Sequence, residues 1–270
     1  MNKLIRECII VAKKVGDAVI MAKNRDRAYK PQLEVIHEIV DGVEIAYLRD
    51  IITDWSEGLN EYGIGVLNTA LMVGYDENEK KIVKKGGKPS KDGNRIRTAL
   101  TKKTLKEVVE TVAKLGVKGH TFVSDPQKMV SMETTSKHSP KLDIRDLSSD
   151  NFVRTNHGYH YYDAGYTKGN DYLSSKIRKI GAEKVIASAE QTLDILDGLK
   201  KQFYEKDSPL NMRRDTKKMS TSSQLMLNLT DREMTLHYFK NKVGKFNGIV
   251  NRLPEGYTPK IKINIKELDI

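Results

Sequence analysis

Cys8-Ile-Ile-Val-Ala-Lys-Lys-Val-Gly-Asp-Ala-Val-Ile-Met-Ala-Lys-Asn-Arg-Asp26 is the stretch on which the reading of the fold turns. Two apolar runs, Ile9 to Ala12 and Ala18 to Met21, flank Lys13-Lys14-Val15-Gly16-Asp17. That pattern predicts strand, tight turn, strand. The return strand brings the polar cluster Lys23-Asn24-Arg25-Asp26 back beside Cys8. Cys8 is the only cysteine in the chain. A lone cysteine is ordinarily a small apolar core residue. A thiol that opens a strand beside a charged cluster is also a candidate nucleophile. If the Glu7–Cys8 bond is cut, the thiol gains its own α-amine as a base.

Outward from this hairpin, the pattern stays strand-rich to about residue 75. Val35 to Val40 and Val43 to Leu48 are joined by Asp41-Gly42, a dipeptide that supplies the positive φ of a tight turn. Leu59 to Gly63 turns into Ile64 to Asn68. Residues 76–94 are rich in Lys and Gly and are expected to be a loop. Thr101 to Leu115 reads as a helix, with Thr104 as N-cap, Glu107 completing a capping box and Gly116 as the stop. Strands resume at His120 to Ser124, Met129 to Glu133 and Phe152 to Thr155. A helical stretch follows from about Ser174 to Tyr204. Gln224 to Leu229 and Met234 to Tyr238 form a last hairpin. This order lacks the βαβα rhythm of a parallel sheet. It predicts a single α+β domain with helices packed on antiparallel sheets.

The chain has 270 residues, 38% of them hydrophobic, and a net charge of +11. No segment approaches the roughly 20 apolar residues of a membrane span, and Met1 to Glu7 lacks a signal-peptide core. A cytoplasmic protein is expected. The positive charge is concentrated around Lys80 to Lys106 and favours anionic partners. No zinc-ligand spacing or base-reading helix accompanies it, so a solvated basic surface is preferred to a nucleic-acid reader. No metal or other cofactor is called for. A homo-oligomer is allowed, and no membrane partner is expected.

Four motifs occur in order: Cys8 with Lys23-Asn24-Arg25-Asp26; Gly58-Leu59-Asn60-Glu61-Tyr62-Gly63-Ile64-Gly65; Thr155-Asn156-His157; and Leu173-Ser174-Ser175-Lys176-Ile177-Arg178. As an ordered set they resemble the N-terminal-nucleophile (Ntn) hydrolases with a cysteine nucleophile. The branch in question holds the choloylglycine hydrolases, the penicillin V acylases and the acyl-coenzyme A:6-aminopenicillanic acid acyltransferase-like proteins. The resemblance runs from Cys8 to about Tyr238. It implies a four-layer αββα sandwich of two antiparallel sheets flanked by helices. It also implies self-cleavage that removes residues 1–7 as a propeptide and leaves 8–270 as the mature domain.

The resemblance assigns roles to particular residues. Cys8 is the nucleophile, Asp26 positions its α-amine, Asn156 donates to the tetrahedral oxyanion and Arg178 supports the thiolate. The alternatives are a turn residue for Asp26, a strand-ending Asn for Asn156 and an exposed helical Arg for Arg178. The family often carries Arg where this chain has Lys23. Either Lys23 or Arg25 is therefore the candidate contact to the thiol, with Lys23 preferred. Asn68 is a candidate oxyanion or pocket residue. Tyr159 and Tyr161, in a Tyr-rich run just after Asn156, are candidates to line an acyl pocket. The implied activity is hydrolysis, or acyl transfer, of a linear non-peptide amide, and the implied partner is a small acyl-amide substrate. The rival readings are a non-catalytic basic binding protein on the same fold and an Ntn peptidase.

Overall fold

The computed structural model describes residues 6–71, 91–135, 139–146, 151–161 and 173–269. The expected loop over 76–94 falls largely outside them, as do residues 1–5. The first half carries β1 (Arg6–Val15), β2 (Ala18–Arg27), β3 (Gln32–Val40), β4 (Val43–Asp50), β5 (Trp55–Asn60) and β6 (Gly65–Thr69). Helices α1 (Asp92–Leu100) and α2 (Leu105–Leu115) follow, then β7 (Gly119–Ser124), β8 (Lys128–Thr134), β9 (Lys141–Asp146) and β10 (Phe152–Arg154). The chain continues through α3 (Leu173–Ser188), α4 (Thr192–Leu199), β11 (Ser220–Asn228), β12 (Glu233–Phe239), β13 (Lys245–Arg252) and β14 (Lys262–Leu268).

Both expected hairpins form, each for a local reason. Gly16 takes φ 59° between β1 and β2, and Asp41 and Gly42 take φ 52° and 74° between β3 and β4. Strands assemble into a six-stranded sheet, β10-β1-β2-β11-β12-β14, and an eight-stranded sheet, β13-β3-β4-β5-β6-β7-β8-β9. Strand alternation then sorts the side chains into three cores. Ile10, Met21 and Leu225 meet Leu48, Leu59 and Phe122 between the sheets. Ile9, Val11 and Ile20 meet Ile186, Ile195 and Leu199 beneath α3 and α4. Ile45, Val66 and Val123 meet Ile96, Val108 and Val112 beneath α1 and α2. The layering is αββα, as expected.

The details differ from expectation in three places. The Ser174–Tyr204 stretch is two helices, because the Asp194 carboxylate accepts the Gln191 and Glu190 amides at 2.8 and 2.9 Å and starts α4 afresh. Lys13 closes the end of α3 by donating to the Ile186 and Ala189 carbonyls at 2.5 and 2.7 Å. Residues 92–100, read partly as loop, form α1. Gly93 lets it approach the sheet, since a Cβ there would sit 1.6 Å from the Asp54 carbonyl oxygen. Each sheet also carries one parallel pair: β13 joins β3 and β14 joins β12. Both pairs come from the last thirty residues, which lie outside the family resemblance.

That C-terminal segment crosses from one sheet to the other and is anchored at Glu44. The buried carboxylate accepts the Lys260 and Ile261 amides at 3.0 and 2.9 Å, the Tyr257 hydroxyl at 2.9 Å, and pairs with His37 Nε2 at 2.8 Å. Burial opposes its charge, but these donors prevail and hold its pKa below the usual carboxylate value. A depressed carboxylate stabilises the fold above its unfolded pKa of about 4.3 and loses that effect as pH falls through the lower folded value. Glu44→Gln is therefore expected to lower the urea midpoint at pH 7. The gap from wild type should narrow as pH falls below the unfolded value of about 4.3 and close once pH has passed the lower folded value.

Among the described residues no helix is long and apolar enough to cross a membrane, and no group of His, Cys, Asp or Glu is arranged to hold a metal.

Candidate active site

In the β1–β2 ladder Cys8 stands opposite Arg25, Glu7 opposite Asp26 and Arg6 opposite Arg27. Cross-strand partners share a face and neighbours alternate. The Cys8 thiol, Lys23, Arg25 and Arg27 therefore point between the sheets, on the face that carries Ile10 and Met21 further along. Asn24 and Asp26 point the other way, toward the helices. One hairpin thus supplies polar groups to both sides of the sheet.

The inter-sheet side is a buried ionic cluster. Lys23, Arg25, Arg27, Asp50 and Glu57 are each no more than 2% exposed. Lys23 Nζ bonds Glu57 and the Asn68 carbonyl. Arg25 Nη1 reaches Glu57 Oε2 at 3.2 Å, and Trp55 Nε1 donates to Glu57 Oε1 at 2.8 Å. Burial works against the charge on Glu57, but Lys23 and Arg25 overcome it and lower its pKa. Arg27 Nη1 donates to Cys8 Sγ at 3.5 Å and to the Asp26 carbonyl at 2.8 Å. Neither expected residue makes the thiol contact. Lys23 acts on the thiol as a nearby charge, and Arg27 is the donor. Strand alternation alone puts Lys23, Arg25 and Arg27 on one face; the two-residue stagger past Cys8 selects Arg27.

Burial raises the Cys8 pKa, yet Lys23 and Arg27 together outweigh it and the thiol ends below its ordinary value. Three buried basic groups face two carboxylates, an imbalance that favours the thiolate, while burial also lowers the Lys23 pKa. The ultraviolet absorbance of the Cys8 thiolate should accordingly persist below the ordinary cysteine range, which centres near pH 8.5. Arg27→Gln should move that titration to higher pH; an unmoved curve would assign the shift to Lys23 alone.

On the helix side, the other motifs converge on the Cys8 main chain. Asn156 Oδ1 accepts the Cys8 amide at 3.2 Å and Arg178 Nη2 at 3.1 Å. Arg178 Nη1 meets Asp26 Oδ2 at 3.0 Å, and Thr221 Oγ1 donates to Asp26 Oδ1 at 2.7 Å. Arg178 is fully buried rather than an exposed helical arginine. Ser175 Oγ accepts the Asn156 amide at 2.8 Å and the His157 amide at 3.1 Å. It thereby ties the Thr-Asn-His turn to the first turn of α3. Burial pushes the pKa of His157 down to about 4, and its Nδ1 is engaged by Ser175 Oγ at 3.0 Å.

The remaining candidates sit differently from expectation. Asn156 Nδ2 donates to Thr69 Oγ1 at 2.9 Å and the Ala70 carbonyl at 2.7 Å. Donation to an oxyanion requires it to leave one of them. The Asn68 side chain points away from Cys8 to the Lys118 carbonyl and Thr121 Oγ1; only its main-chain carbonyl reaches the cluster. The Tyr159 and Tyr161 amides are held by the Glu133 carboxylate at 2.8 and 3.0 Å, and the Tyr159 ring stacks on Arg154 at 4.1 Å. Neither ring is placed against Cys8. Tyr162 and Tyr166 lie outside the described residues. Cys8 itself is 2% exposed. Two surface grooves of about 350 and 540 Å³ lie elsewhere.

Arg27, Ser175 and Thr221 were not singled out from sequence. Ser175 was within a quoted motif, but its role depends on a contact 19 residues back. Thr221 arrives on β11, 195 residues after Asp26, with no local signal.

No family model matches the chain, and no curated protein matches it. Among solved structures, the penicillin V acylase of Agrobacterium tumefaciens matches at 11% identity with a TM-score of 0.46, covering 86% of each chain. A likeness at that score is too slight to transfer a substrate or a residue role.

Proposed function

We propose that this protein is a cysteine amidohydrolase of the Ntn type that acts on linear non-peptide amides. The observation that supports it is the convergence on Cys8. Its sulfur takes a hydrogen bond from Arg27, and its nitrogen is bonded by Asn156, which Arg178 links to Asp26. In the proposed cycle the Glu7–Cys8 bond is first cut, and the Cys8 nitrogen becomes an α-amine. That amine takes the thiol proton, and the thiolate adds to the substrate carbonyl. The C–N bond then breaks, and the leaving amine takes the proton from the Cys8 ammonium. Water, activated by the same amine, releases the acyl group as a carboxylic acid; another amine in place of water gives acyl transfer. Asn156 Oδ1 and Asp26, opposite Glu7 in the ladder, orient the amine.

The test is turnover of N-acyl amino acids, bile conjugates, penicillin V and acyl-homoserine lactones, read together with intact mass. Active protein should lack Met1 to Glu7. Active protein of full-length mass would overturn the mechanism.

A further inference from the structure

Arg25 and Arg27 hold more donors than the cluster can use. Arg25 Nε and Nη2 and Arg27 Nε are buried and make no hydrogen bond among the described residues. Asp50 Oδ2 lies 3.9 Å from both Arg25 Nη2 and Arg27 Nε, beyond hydrogen-bond reach. Asp50 is already committed: Oδ2 accepts Tyr29 at 2.5 Å and Thr53 at 3.1 Å, and Oδ1 accepts the Ile52 amide at 3.2 Å. Lys23, by contrast, is taken up by Glu57 and the Asn68 carbonyl. A buried guanidinium N–H without an acceptor is costly, and a planar fork of such donors matches a carboxylate.

The ladder gives the direction in which such a group would arrive. Glu7 and Arg6, the acyl side of the Glu7–Cys8 bond, run opposite Asp26 and Arg27. An acyl group on the Cys8 sulfur has the same outward path once those residues leave. A strand rises about 3.4 Å per residue, so Arg27 stands about 7 Å beyond the Cys8–Arg25 rung. Acylation also removes the thiolate charge and leaves the cations in excess.

We propose that Arg25 and Arg27 form a subsite for a carboxylate at the far end of the substrate's acyl group, so that the preferred acyl donors are short dicarboxylic half-amides. This rests on the amidohydrolase reading above. The experiment compares glutaryl-p-nitroanilide with 5-methylhexanoyl-p-nitroanilide, in which an isopropyl group replaces the carboxylate, on protein that has lost residues 1–7. The glutaryl compound should have the higher kcat/KM by about 10- to 100-fold, the value of one well-made charged hydrogen-bond pair. Arg25→Gln should bring the ratio toward one. A second readout needs no turnover: glutarate should raise the Tm of wild type more than sodium chloride of equal ionic strength does. Equal or reversed substrate preference, or no specific glutarate effect, overturns the subsite. A glutarate effect without turnover of either anilide supports the subsite and sinks the amidohydrolase reading instead. Turnover that favours 5-methylhexanoyl does the reverse.

Discussion

Cys8→Ala protein should keep its full-length mass and lose amide turnover by at least about 10⁴-fold, since removing a nucleophile disables every covalent step at once. The side chain removed is small and buried between Arg25 on β2 and the opposite sheet. An alanine fits the same space, so a folded variant is expected. It is less stable than wild type, because the cations lose the sulfur that balances them and Arg27 Nη1 keeps only the Asp26 carbonyl. Cys8→Ser separates chemistry from charge. A serine hydroxyl fills the site but stays neutral at pH 7, so it should show the same electrostatic loss and a similar loss of turnover. Retained activity in Cys8→Ala would end the nucleophile assignment whatever the mass. Retained processing in Cys8→Ala would show that the Glu7–Cys8 bond is cut by something other than this thiol.

The first hairpin was legible from sequence because its signals are local. Alternation gives two strands, Gly16 gives the turn, and the return strand must bring residues 23–26 to the level of Cys8. The α2 capping box was legible for the same reason: Glu107 accepts the Thr104 amide at 3.1 Å, and Thr104 Oγ1 accepts the Glu107 amide at 3.3 Å. What sequence reasoning missed depends on distant pairings. The period-2 rule places Lys23, Arg25 and Arg27 on one face but says nothing of which carboxylates the opposite sheet presents. Glu57 and Asp50 settle that, and they take Lys23 and Arg25 away from the thiol. Asn68 was misjudged because its strand position fixes which way its amide points, and that direction is the outer face of its sheet. The pairing of β13 could not be read locally, since its partner β3 lies more than 200 residues earlier. β14 pairs with nearby β12, and the alternation of Ile261, Ile263 and Ile265 was the local signal that sequence reasoning passed over.

Arg178→Met should destabilise the fold by about 3–5 kcal/mol, the usual result of removing one member of a buried ion pair. Both side chains of the Arg178–Asp26 pair are fully buried and 3.0 Å apart. Methionine removes the charge and both hydrogen-bonding arms, so Asp26 keeps Thr221 Oγ1 and the more distant Arg214, whose Nε is 3.9 Å away. Arg214 offsets part of the loss, which places the expected value at the lower end of that range. A merely structural pair and a pair that positions Cys8 predict different companions to this loss. Arg178 also donates to the Asn156 oxygen that accepts the Cys8 nitrogen. If it positions the nucleophile, Arg178→Lys, which keeps charge but cannot bridge two acceptors in one plane, should regain most of the stability yet little of the turnover. Asp26→Asn with Arg178→Met should be less destabilised than the sum of the two single variants, because the double variant removes both charges of the pair rather than one. Urea unfolding measures the cycle, and kcat/KM on these four proteins and on Arg178→Lys separates the roles. Strict additivity would show that the 3.0 Å contact carries no coupling. Full turnover in Arg178→Lys would confine Arg178 to holding α3 on the sheet.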